Sequence, residues 1–404
     1  MPICRHIGTT EDAVSRCVAP ARRPEPVSGK ALRRLALLSA IAATLLLAVA
    51  AAAAPPPVDA DAYVVQNSGT GEILAAQDEH EHLPMASITK LMTAIVALEH
   101  ASLDDVATVS KRTAAVGEST INLVPGERVT LRDLIRAALI QSANDAANAI
   151  AAFVGHGSVA RFVGMMNARA RQLGLSDTHF ANPDGLDAPG HYSSAADVTK
   201  LGRVAMNKPF IRETVRLVDA TAAGRQLHNW NDLLATAPNV IGVKTGHTDD
   251  AGWSQVAAAR GGGVTIYATI LGGETREGRN ADLSRLLVWG LSRYRTVWAI
   301  DGDRVYGNVH TAYGKDPVRL VAAKPALRVV HVERPLVERV VMPGEAALPV
   351  RKGQRLGEVQ VLENGTVIAR SPLVAANAVE KPGALGRVGF YAGRTLHHLG
   401  GLLG

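Results

Sequence analysis

The sequence predicts an α+β domain, an antiparallel sheet with helices on its faces, followed by a small all-β sandwich domain. In the first part, strand-like runs at residues 63–75 and 251–271 enclose a series of helical runs. The pattern changes near Trp298, where short β-rich runs begin to alternate with turns such as Asn364-Gly365. We expect the first domain over residues 58–297, the sandwich over 300–378, and additional segments at 1–54 and 383–404.

The N-terminal segment has the features of an export signal. An arginine pair at residues 33–34 precedes an apolar run over residues 35–54 that contains several Ala-x-Ala cleavage patterns. We predict a secretory signal peptide cleaved around residues 50–54, and the alternative is a retained membrane span, because the run is just long enough. Cys4 and Cys17 both lie in this segment, so the exported protein would have no thiol.

The net charge gives no support for a nucleic-acid partner. The formal charge is +6, but residues 1–54 contain seven Arg or Lys against three Asp or Glu. Removing them leaves about +2. No nucleic-acid binding is therefore expected.

The first motif that carries chemistry is Ser87-Ile-Thr-Lys90. It opens an apolar run over residues 88–100 that predicts a buried helix, with Pro84 favouring an extended entry. Ser87 would lie among free backbone N–H groups at the helix start, and Lys90 would share its face one turn later. Burial should lower the pKa of this lysine toward neutrality, as a general base requires. For such a motif alone, the alternative is an N-cap serine and a surface lysine.

The second motif is Ser142-Ala-Asn144, at a polar break between two apolar helical runs. Ser142 could hydrogen-bond to Lys90 and pass a proton, while Asn144 could orient the lysine and hold a substrate amide. The alternative is a helix cap at this break, which is compatible with catalysis.

The third motif is Lys244-Thr-Gly246, just before a predicted hairpin and therefore along or beside a sheet edge. Gly246 would let a substrate backbone pair closely with this strand. Lys244 and Thr245 offer a cation and a hydroxyl to a terminal carboxylate, and the backbone N–H of His247 could form an oxyanion hole with that of Ser87. Without its partners, this motif would indicate only a turn.

With the three motifs in this order, the chain resembles the D-alanyl-D-alanine carboxypeptidases of the low-molecular-mass penicillin-binding proteins. The resemblance extends from about residue 62 to about residue 375 and includes Pro84–Ala94, Asn182–Ser194 and Lys244–Gly252, of which the second is specific to this family. It implies a catalytic domain of the β-lactamase/transpeptidase type. Such enzymes trim the peptide stems of bacterial peptidoglycan, and β-lactam antibiotics acylate them.

The resemblance also implies roles for individual residues. Ser87 would be acylated by the penultimate D-alanine of a stem peptide, the terminal D-alanine would leave, and water would hydrolyse the ester. Lys90 would be the base for acylation, and Lys90 with Ser142 would activate the water. Arg279 matches an arginine that helps to bind the substrate carboxylate, and the alternatives are Arg276 in this role or a plain surface arginine.

One segment departs from the family pattern. Some members carry a basic residue shortly before the third motif, where this chain has Asn229-Trp-Asn231. No cofactor and no metal are expected, because the histidines are scattered. The pair His80 and His82 lies in a charged loop, which is typical of solvated side chains.

The C-terminal tail, residues 383–404, is a candidate interfacial helix. In the family such tails often anchor the enzyme on the outer face of the inner membrane. This tail is glycine-rich and has only Arg387 and Arg394 as fixed cations, so its attraction to anionic lipid would be weak. We expect an exported, periplasmic protein with this tail as a candidate membrane anchor.

Three other functions remain as alternatives. A peptidoglycan DD-endopeptidase would use the same chemistry on cross-links. A class A β-lactamase would need a glutamate between the second and third motifs, and residues 155–195 contain none. An inactive cell-wall scaffold is disfavoured because all three motifs are present.

Overall fold

The computed structural model describes residues 4–8 and 54–400, with side chains over residues 54–392. The chain forms two compact units, which divide between Ser292 and Arg293. Strand β1 (Cys4–Gly8) belongs to the second unit. The predicted signal peptide falls mainly on residues 9–53 and lies outside the described residues.

An antiparallel sheet forms the centre of the first unit. The strands of the unit are β2 (Ala62–Asn67), β3 (Ile73–Gln77), β4 (Val106–Thr108), β5 (Arg128–Thr130), β6 (Asp219–Ala222), β7 (Arg225–His228), β8 (Val240–Thr248), β9 (Gly252–Gly261) and β10 (Val264–Gly273). Five of them form the sheet in the order β3-β2-β10-β9-β8, and the other four form two short ribbons. The strand-like run at residues 63–75 forms the hairpin β2-β3, and the hairpin predicted after the third motif is confirmed as β9-β10. Strand β8 lies at an edge of the sheet.

Helices cover both faces of this sheet. They are α1 (Lys90–His100), α2 (Lys111–Ala114), α3 (Leu131–Ile140), α4 (Asn144–Val154), α5 (Val159–Leu173), α6 (Ala195–Met206), α7 (Pro209–Thr214), α8 (Leu233–Thr236) and α9 (Arg276–Ser292). Thr199 of α6 hydrogen-bonds to Thr269 of β10, whereas Gly290 of α9 packs on Ile266. Because residues 266 and 269 point to opposite faces, the helices lie on opposite sides. The predicted α+β catalytic domain is confirmed.

Local sequence sets where the helices around the site begin. The Thr130 hydroxyl accepts from the Asp133 N–H at the start of α3, and the Ser194 hydroxyl accepts from the Asp197 N–H at the start of α6. Both are N-caps that satisfy otherwise free backbone donors. Apolar side chains of α1, α3 and α4 are buried in one cluster with residues of the sheet, so α1 lies in the core of this unit.

The second unit is all-β up to its last helix. Its strands are β11 (Tyr294–Ile300), β12 (Val305–Thr311), β13 (Val318–Ala322), β14 (Ala326–His331), β15 (Leu336–Val341), β16 (Glu345–Ala346), β17 (Arg355–Glu363) and β18 (Thr366–Ala375), followed by α10 (Ala384–Gly400). A seven-stranded sheet in the order β1-β15-β17-β18-β13-β12-β16 packs with the β11-β14 ribbon around one apolar core. Since β11 pairs with β14, this unit begins a few residues before the predicted boundary at 300.

Within residues 54–400, no single helix is both long enough and apolar enough to cross a bilayer. The consecutive helices α4 and α5 meet the criterion only as a pair, which is bent by 89°.

Candidate active site

The three sequence motifs meet in one cleft of the first unit. Its lining comprises Ser87, Glu118, Ser119, Ser142, Asn144, Leu186, Trp230, Thr245, Gly246, His247, Thr248, Trp253, Arg276 and Arg279. One wall comes from the helical side, with Ser142 and Asn144, and the other from the edge strand β8. The predicted convergence of the motifs is therefore observed.

Ser87 lies in a tight turn that precedes α1. Residues Ala86–Thr89 form a 3₁₀ turn, and the α-helix begins at Lys90, three residues later than the predicted start at Ser87. Ala86 has φ = 47°, a left-handed conformation that is costly for a residue with a Cβ. Such strain is found at functional sites when the surrounding structure holds it in place.

Two glycines from distant chain segments, Gly185 and Gly246, pack closely against the backbone of this turn. A Cβ added to Gly246 would lie 2.8 Å from the Met85 carbonyl oxygen, and one added to Gly185 would lie 2.0 Å from the Ala86 carbonyl oxygen. Gly185 also has φ = 92°. Only glycine allows these two backbones to approach the turn so closely. Gly246 thus makes room for the turn that carries Ser87, and its predicted role beside a substrate backbone stays a prediction.

The amine of Lys90 contacts the Ser87 hydroxyl. Lys90 Nζ lies 2.6 Å from Ser87 Oγ, 2.7 Å from Asn144 Oδ1 and 2.5 Å from the Asp184 carbonyl oxygen. A neutral amine has two N–H donors and one lone pair. Because the amide and the carbonyl can only accept here, they take the two N–H groups and direct the lone pair at the Ser87 hydroxyl proton.

Burial prepares Lys90 to act as a base. Its side chain is fully buried, and desolvation lowers its pKa from 10.5 to about 8, although the negative charges of Asp184, Glu118 and Asp145 act in the opposite direction. A pKa near 8 leaves about a tenth of the amine neutral at pH 7. The predicted shift toward neutrality is thus present.

Ser142 hydrogen-bonds to Lys244. The predicted hydrogen bond between Ser142 and Lys90 is not present. Lys244 Nζ donates to Ser142 Oγ at 2.9 Å and to the Thr245 carbonyl oxygen at 2.9 Å. Ser142 lies at the helix break with φ = 61°, directly before Ala143, which is the N-cap of α4. Lys90 already has three acceptors around its amine, which leaves no position for this hydroxyl. Ser142 is therefore connected to the second lysine.

Lys244 is a second buried amine with a depressed pKa. Desolvation lowers its pKa well below the usual value of 10.5, and the positive charges of Lys90 and Arg279 lower it further. Lys244 is buried and is not among the residues that line the cleft, although its amine contacts the hydroxyl of the lining residue Ser142. Contact between Lys244 and a substrate carboxylate stays a prediction.

Arg279 is the arginine best placed to meet an anion. It lines the cleft, is only 2 % exposed, and forms no ion pair with the described residues. Its guanidinium lies 5.6 Å from the Trp253 ring centroid and contacts the Asn280 side chain, and burial lowers its pKa to about 10. Arg276, the alternative, is already paired with Asp232. A buried cation without a counter-ion favours binding of an anionic ligand.

Trp230 is a cleft residue that sequence reasoning did not assign. Its indole N–H donates to the Gln141 carbonyl oxygen at 3.0 Å, and the Arg276 guanidinium lies 5.3 Å from its ring. It occupies the segment in which some family members carry a basic residue. The neighbouring Asn229 and Asn231 serve the fold, since Asn229 donates to the Leu217 carbonyl oxygen and Asn231 accepts from Gln255.

The loop over residues 182–194 supports the site, a role that the sequence did not reveal. The Asp184 carbonyl accepts from Lys90, and its carboxylate accepts from Asn148 of α4. His191 accepts from the Ala181 N–H through Nδ1, so the neutral ring donates from Nε2 to the Thr89 hydroxyl. Burial lowers the pKa of His191 to about 4, which keeps the ring neutral. The family-specific segment was the only sequence signal for this loop.

The histidines of the charged loop do not form a metal site with their neighbours. His80 Nδ1 contacts the Asp177 carboxylate at 2.7 Å, and His82 stacks on Tyr192. In the part of the chain that the structure describes, no group of three His, Cys, Asp or Glu side chains is arranged to hold a metal ion.

Comparison with known proteins places these motifs in a family. The family model described as D-alanyl-D-alanine carboxypeptidase, peptidase family S11, matches residues 49–275, more than half of the chain. The chain belongs to this family of D-alanyl-D-alanine carboxypeptidases. It is a serine-type carboxypeptidase of the low-molecular-mass penicillin-binding group, as the resemblance implied. A second model, the C-terminal domain of penicillin-binding protein 5, matches residues 294–381.

Individual relatives of this D-alanyl-D-alanine carboxypeptidase match it over different shares of the chain. The carboxypeptidase DacD of Salmonella typhimurium is 33 % identical over 354 residues, which cover 83 % of this chain and 90 % of the relative. Penicillin-binding protein 5 of Haemophilus influenzae is structurally similar with a TM-score of 0.60 at 29 % identity, covering 81 % of this chain and 99 % of that one. The Streptomyces K15 DD-transpeptidase matches with a TM-score of 0.57 at 32 % identity, covering 59 % of this chain and 99 % of its own.

Proposed function

We propose that this carboxypeptidase removes the terminal D-alanine from peptidoglycan stem pentapeptides through an ester on Ser87. The observation that carries the proposal is the contact of 2.6 Å between Lys90 Nζ and Ser87 Oγ, with the other two positions around the amine filled by acceptors. This arrangement supplies a nucleophile and its base without a histidine.

In the acylation step, Lys90 takes the Ser87 proton as Oγ attacks the carbonyl carbon of the penultimate D-alanine. The peptide bond to the terminal D-alanine breaks, and its nitrogen takes a proton and leaves as an amine. Because the Ser142 hydroxyl oxygen accepts from Lys244, the Ser142 proton can point into the cleft toward that nitrogen. Lys244 then returns a proton to Ser142.

In the deacylation step, a water molecule replaces the departed amine and attacks the ester carbonyl. Before this step Lys90 gives the Ser87 proton to solvent through the cleft, and Lys244 takes a proton up. Neutral Lys90 then accepts one proton of the attacking water and passes it to the departing Ser87 oxygen, while the Ser142 hydroxyl hydrogen-bonds to this water. The ester bond breaks, Ser87 recovers its proton, and the shortened stem peptide leaves as a free acid. β-Lactams acylate the same hydroxyl, since their strained amide presents the same carbonyl to Ser87.

Backbone N–H groups are proposed to stabilise the oxyanion. A Cβ on Gly246 would lie 3.2 Å from the Ser87 nitrogen, so β8 passes directly beside the N–H of the nucleophile. His247, the next residue on β8, lines the cleft and supplies the second N–H. Two such donors act where negative charge develops on the carbonyl oxygen, which favours the tetrahedral intermediate.

The terminal carboxylate of the substrate is assigned to Arg279 and Thr245. Both line the same cleft as Ser87, and Arg279 is a buried cation without a described carboxylate partner. The enzyme should therefore require a free terminal carboxylate. Endopeptidase activity on cross-linked peptides is the second candidate, because it would use the same acyl transfer with a larger amine as the leaving group.

The wild-type enzyme is expected to release D-alanine from a pentapeptide ending in D-Ala-D-Ala, and to cleave the C-terminal amide of this peptide about 100-fold less efficiently. The amide removes the charge that Arg279 would bind, at a cost typical of a lost buried charge pair. Amino acid analysis of the products measures both rates. The Arg279→Gln variant should show little difference between the two peptides, and an unchanged preference in this variant would exclude Arg279 from carboxylate binding.

We further propose that the protein is exported to the periplasm and rests on the outer face of the inner membrane through α10. The proposal is supported by α10 (Ala384–Gly400), a helix on which Leu385, Val388 and Tyr391 are exposed. Exposed apolar side chains on one helix are suited to the interface between lipid and water.

Truncation of the tail should release the protein from membranes. Deleting residues 386–404 removes most of the apolar helix, so we expect the protein to move from the membrane fraction to the soluble periplasmic fraction. Fractionation followed by immunoblotting measures this shift. An equal membrane fraction for the full chain and the truncated chain would overturn the anchoring proposal, and retained D-alanine release shows that the catalytic unit is intact.

A further inference from the structure

Glu118 is a cleft residue that the proposed mechanism does not use. It lines the cleft with Ser87 and is the only acidic side chain among the lining residues in the described part of the chain. Its side chain is exposed and forms no hydrogen bond or ion pair with described residues. The acidic residues Asp145 and Asp184, in contrast, are both buried and hydrogen-bonded. Glu118 is therefore a free carboxylate at the mouth of the active site.

The backbone around Glu118 is fixed to the second catalytic motif. The Asn144 side chain donates to the Gly117 carbonyl oxygen at 3.0 Å, and the Asn144 N–H donates to the Ser119 carbonyl oxygen at 2.7 Å. The Ser119 hydroxyl donates to the Gln141 carbonyl oxygen. Both neighbours of Glu118 are thus held by elements that also position Lys90, which gives the carboxylate a defined place relative to the reacting atoms.

The conformation of Glu118 is costly for a glutamate. Its φ is 64°, in the left-handed region that asparagine and glycine occupy more easily. The carboxylate also raises the pKa of Lys90, which opposes the neutral form that a base requires. The negative charge of Glu118 therefore disfavours the neutral form of Lys90 and also repels the anionic terminus of the substrate. These two costs would be offset if Glu118 bound a positive group on the substrate.

Charge placement indicates which part of the substrate carries this group. The terminal carboxylate is assigned to Arg279 and Thr245, beside the edge strand, whereas Glu118 lies with Ser142 and Asn144 on the helical wall. The departing D-alanine offers only its carboxylate, so a cation that meets Glu118 belongs to the acyl part that remains on the enzyme.

We propose that Glu118 is a specificity-determining residue that binds a primary ammonium on the side chain of the residue preceding D-Ala-D-Ala. This inference rests on the proposed function. An exposed carboxylate fixed at the rim of a cleft attracts such a cation and orients the substrate, and its contribution falls with ionic strength.

Two peptides that differ only in this charge test the inference. The peptides are Nα-acetyl-L-Lys-D-Ala-D-Ala, with a free ammonium, and its Nα,Nε-diacetyl analogue, which is neutral at this position. For the wild type we expect kcat/KM for D-alanine release to be about fivefold higher with the ammonium peptide, a preference typical of a partly exposed ion pair. The ratio should decrease toward one in high salt.

The Glu118→Gln variant should bring the ratio of the two kcat/KM values to about one, and Glu118→Lys should favour the neutral peptide. Glu213→Gln is the matched control, because it removes an exposed glutamate outside the cleft and should keep the wild-type ratio. Covalent labelling by fluorescent penicillin verifies that each variant is folded.

The possible failures are distinguishable. An unchanged ratio in Glu118→Gln, or equal slowing of both peptides, would overturn the cation-binding role. Equal rates for the two peptides with the wild type would also overturn it. If the wild type releases D-alanine from neither peptide, the proposed function itself fails, and the inference fails with it.

Discussion

Replacing Lys90 with methionine is expected to slow the acylation of Ser87 by about 10³-fold, the middle of the range for loss of a general base. Methionine has a similar length and no lone pair basic enough to accept the hydroxyl proton. Stopped-flow fluorescence with a reporter β-lactam measures the acylation rate constant directly. The expected loss arises because Lys90 is the described amine in contact with Ser87 Oγ, at 2.6 Å.

The stability of the Lys90→Met variant should stay close to that of the wild type. A pKa of about 8 in place of 10.5 corresponds to on the order of 3 kcal/mol of desolvation cost that methionine would remove. Against this, the Asn144 amide oxygen and the Asp184 carbonyl lose their donor, at about 1–3 kcal/mol for each unsatisfied group. Because these free-energy terms oppose each other, the melting temperature of Lys90→Met should stay close to that of the wild type. The loss of acylation would then not be due to unfolding.

Two further variants separate the base from a simple positive charge. Lys90→Arg keeps the charge but cannot become neutral, so it should be as slow as Lys90→Met. Lys200→Met removes a lysine that contacts only the Gly174 carbonyl among described groups, and it should acylate normally. If Lys90→Arg acylated at a rate near that of the wild type, Lys90 would act through its charge and not as a base.

The Ser87→Ala variant should form no covalent adduct with penicillin and should release D-alanine on the order of 10⁵-fold more slowly than the wild type. The substitution removes the only atom that can form the ester in the proposed pathway. It deletes one hydrogen bond from a half-buried side chain, so the fold should be retained. Intact-protein mass spectrometry after exposure to penicillin measures adduct formation.

Ser119→Ala provides a matched control in the same cleft. The Ser119 hydroxyl also lines the cleft, but it donates to the Gln141 carbonyl oxygen and makes no hydrogen bond to a lysine amine among the described residues. This variant should therefore still gain the mass of penicillin, with the adduct on the peptide that contains Ser87. An adduct on Ser87→Ala protein would show that another residue is the nucleophile.

Much of the fold could be predicted from periodicity and turns. The alternating runs around Asn67–Gly71 and around the glycine turn before Val264 specify hairpins, because local turn chemistry fixes their register. Strand β8 was placed correctly at an edge for the same reason. The start of α1 was placed too early, since the 3₁₀ turn at Ala86–Thr89 depends on close packing against Gly185 and Gly246, which are distant in sequence.

The composition of the active site could be predicted better than its connections. Each motif supplied the expected residue types, but sequence spacing cannot show which buried amine meets which hydroxyl. Ser142 bonds to Lys244 across 102 residues, and Lys90 uses the carbonyl of Asp184, 94 residues away. Glu118 and Trp230 were missed because an exposed glutamate and a lone tryptophan have no local signature of function. Only the tertiary structure brings them to the cleft.

The pH dependence of acylation tests most directly whether neutral Lys90 deprotonates Ser87. The wild-type acylation rate constant, measured with a β-lactam that does not titrate between about pH 5.5 and about pH 10, should rise about tenfold per pH unit at low pH and level off above a pKa near 8. The rate rises with pH because only the deprotonated amine can accept the proton. A rate constant independent of pH across this range, or one that falls as pH increases through 8, would contradict the account.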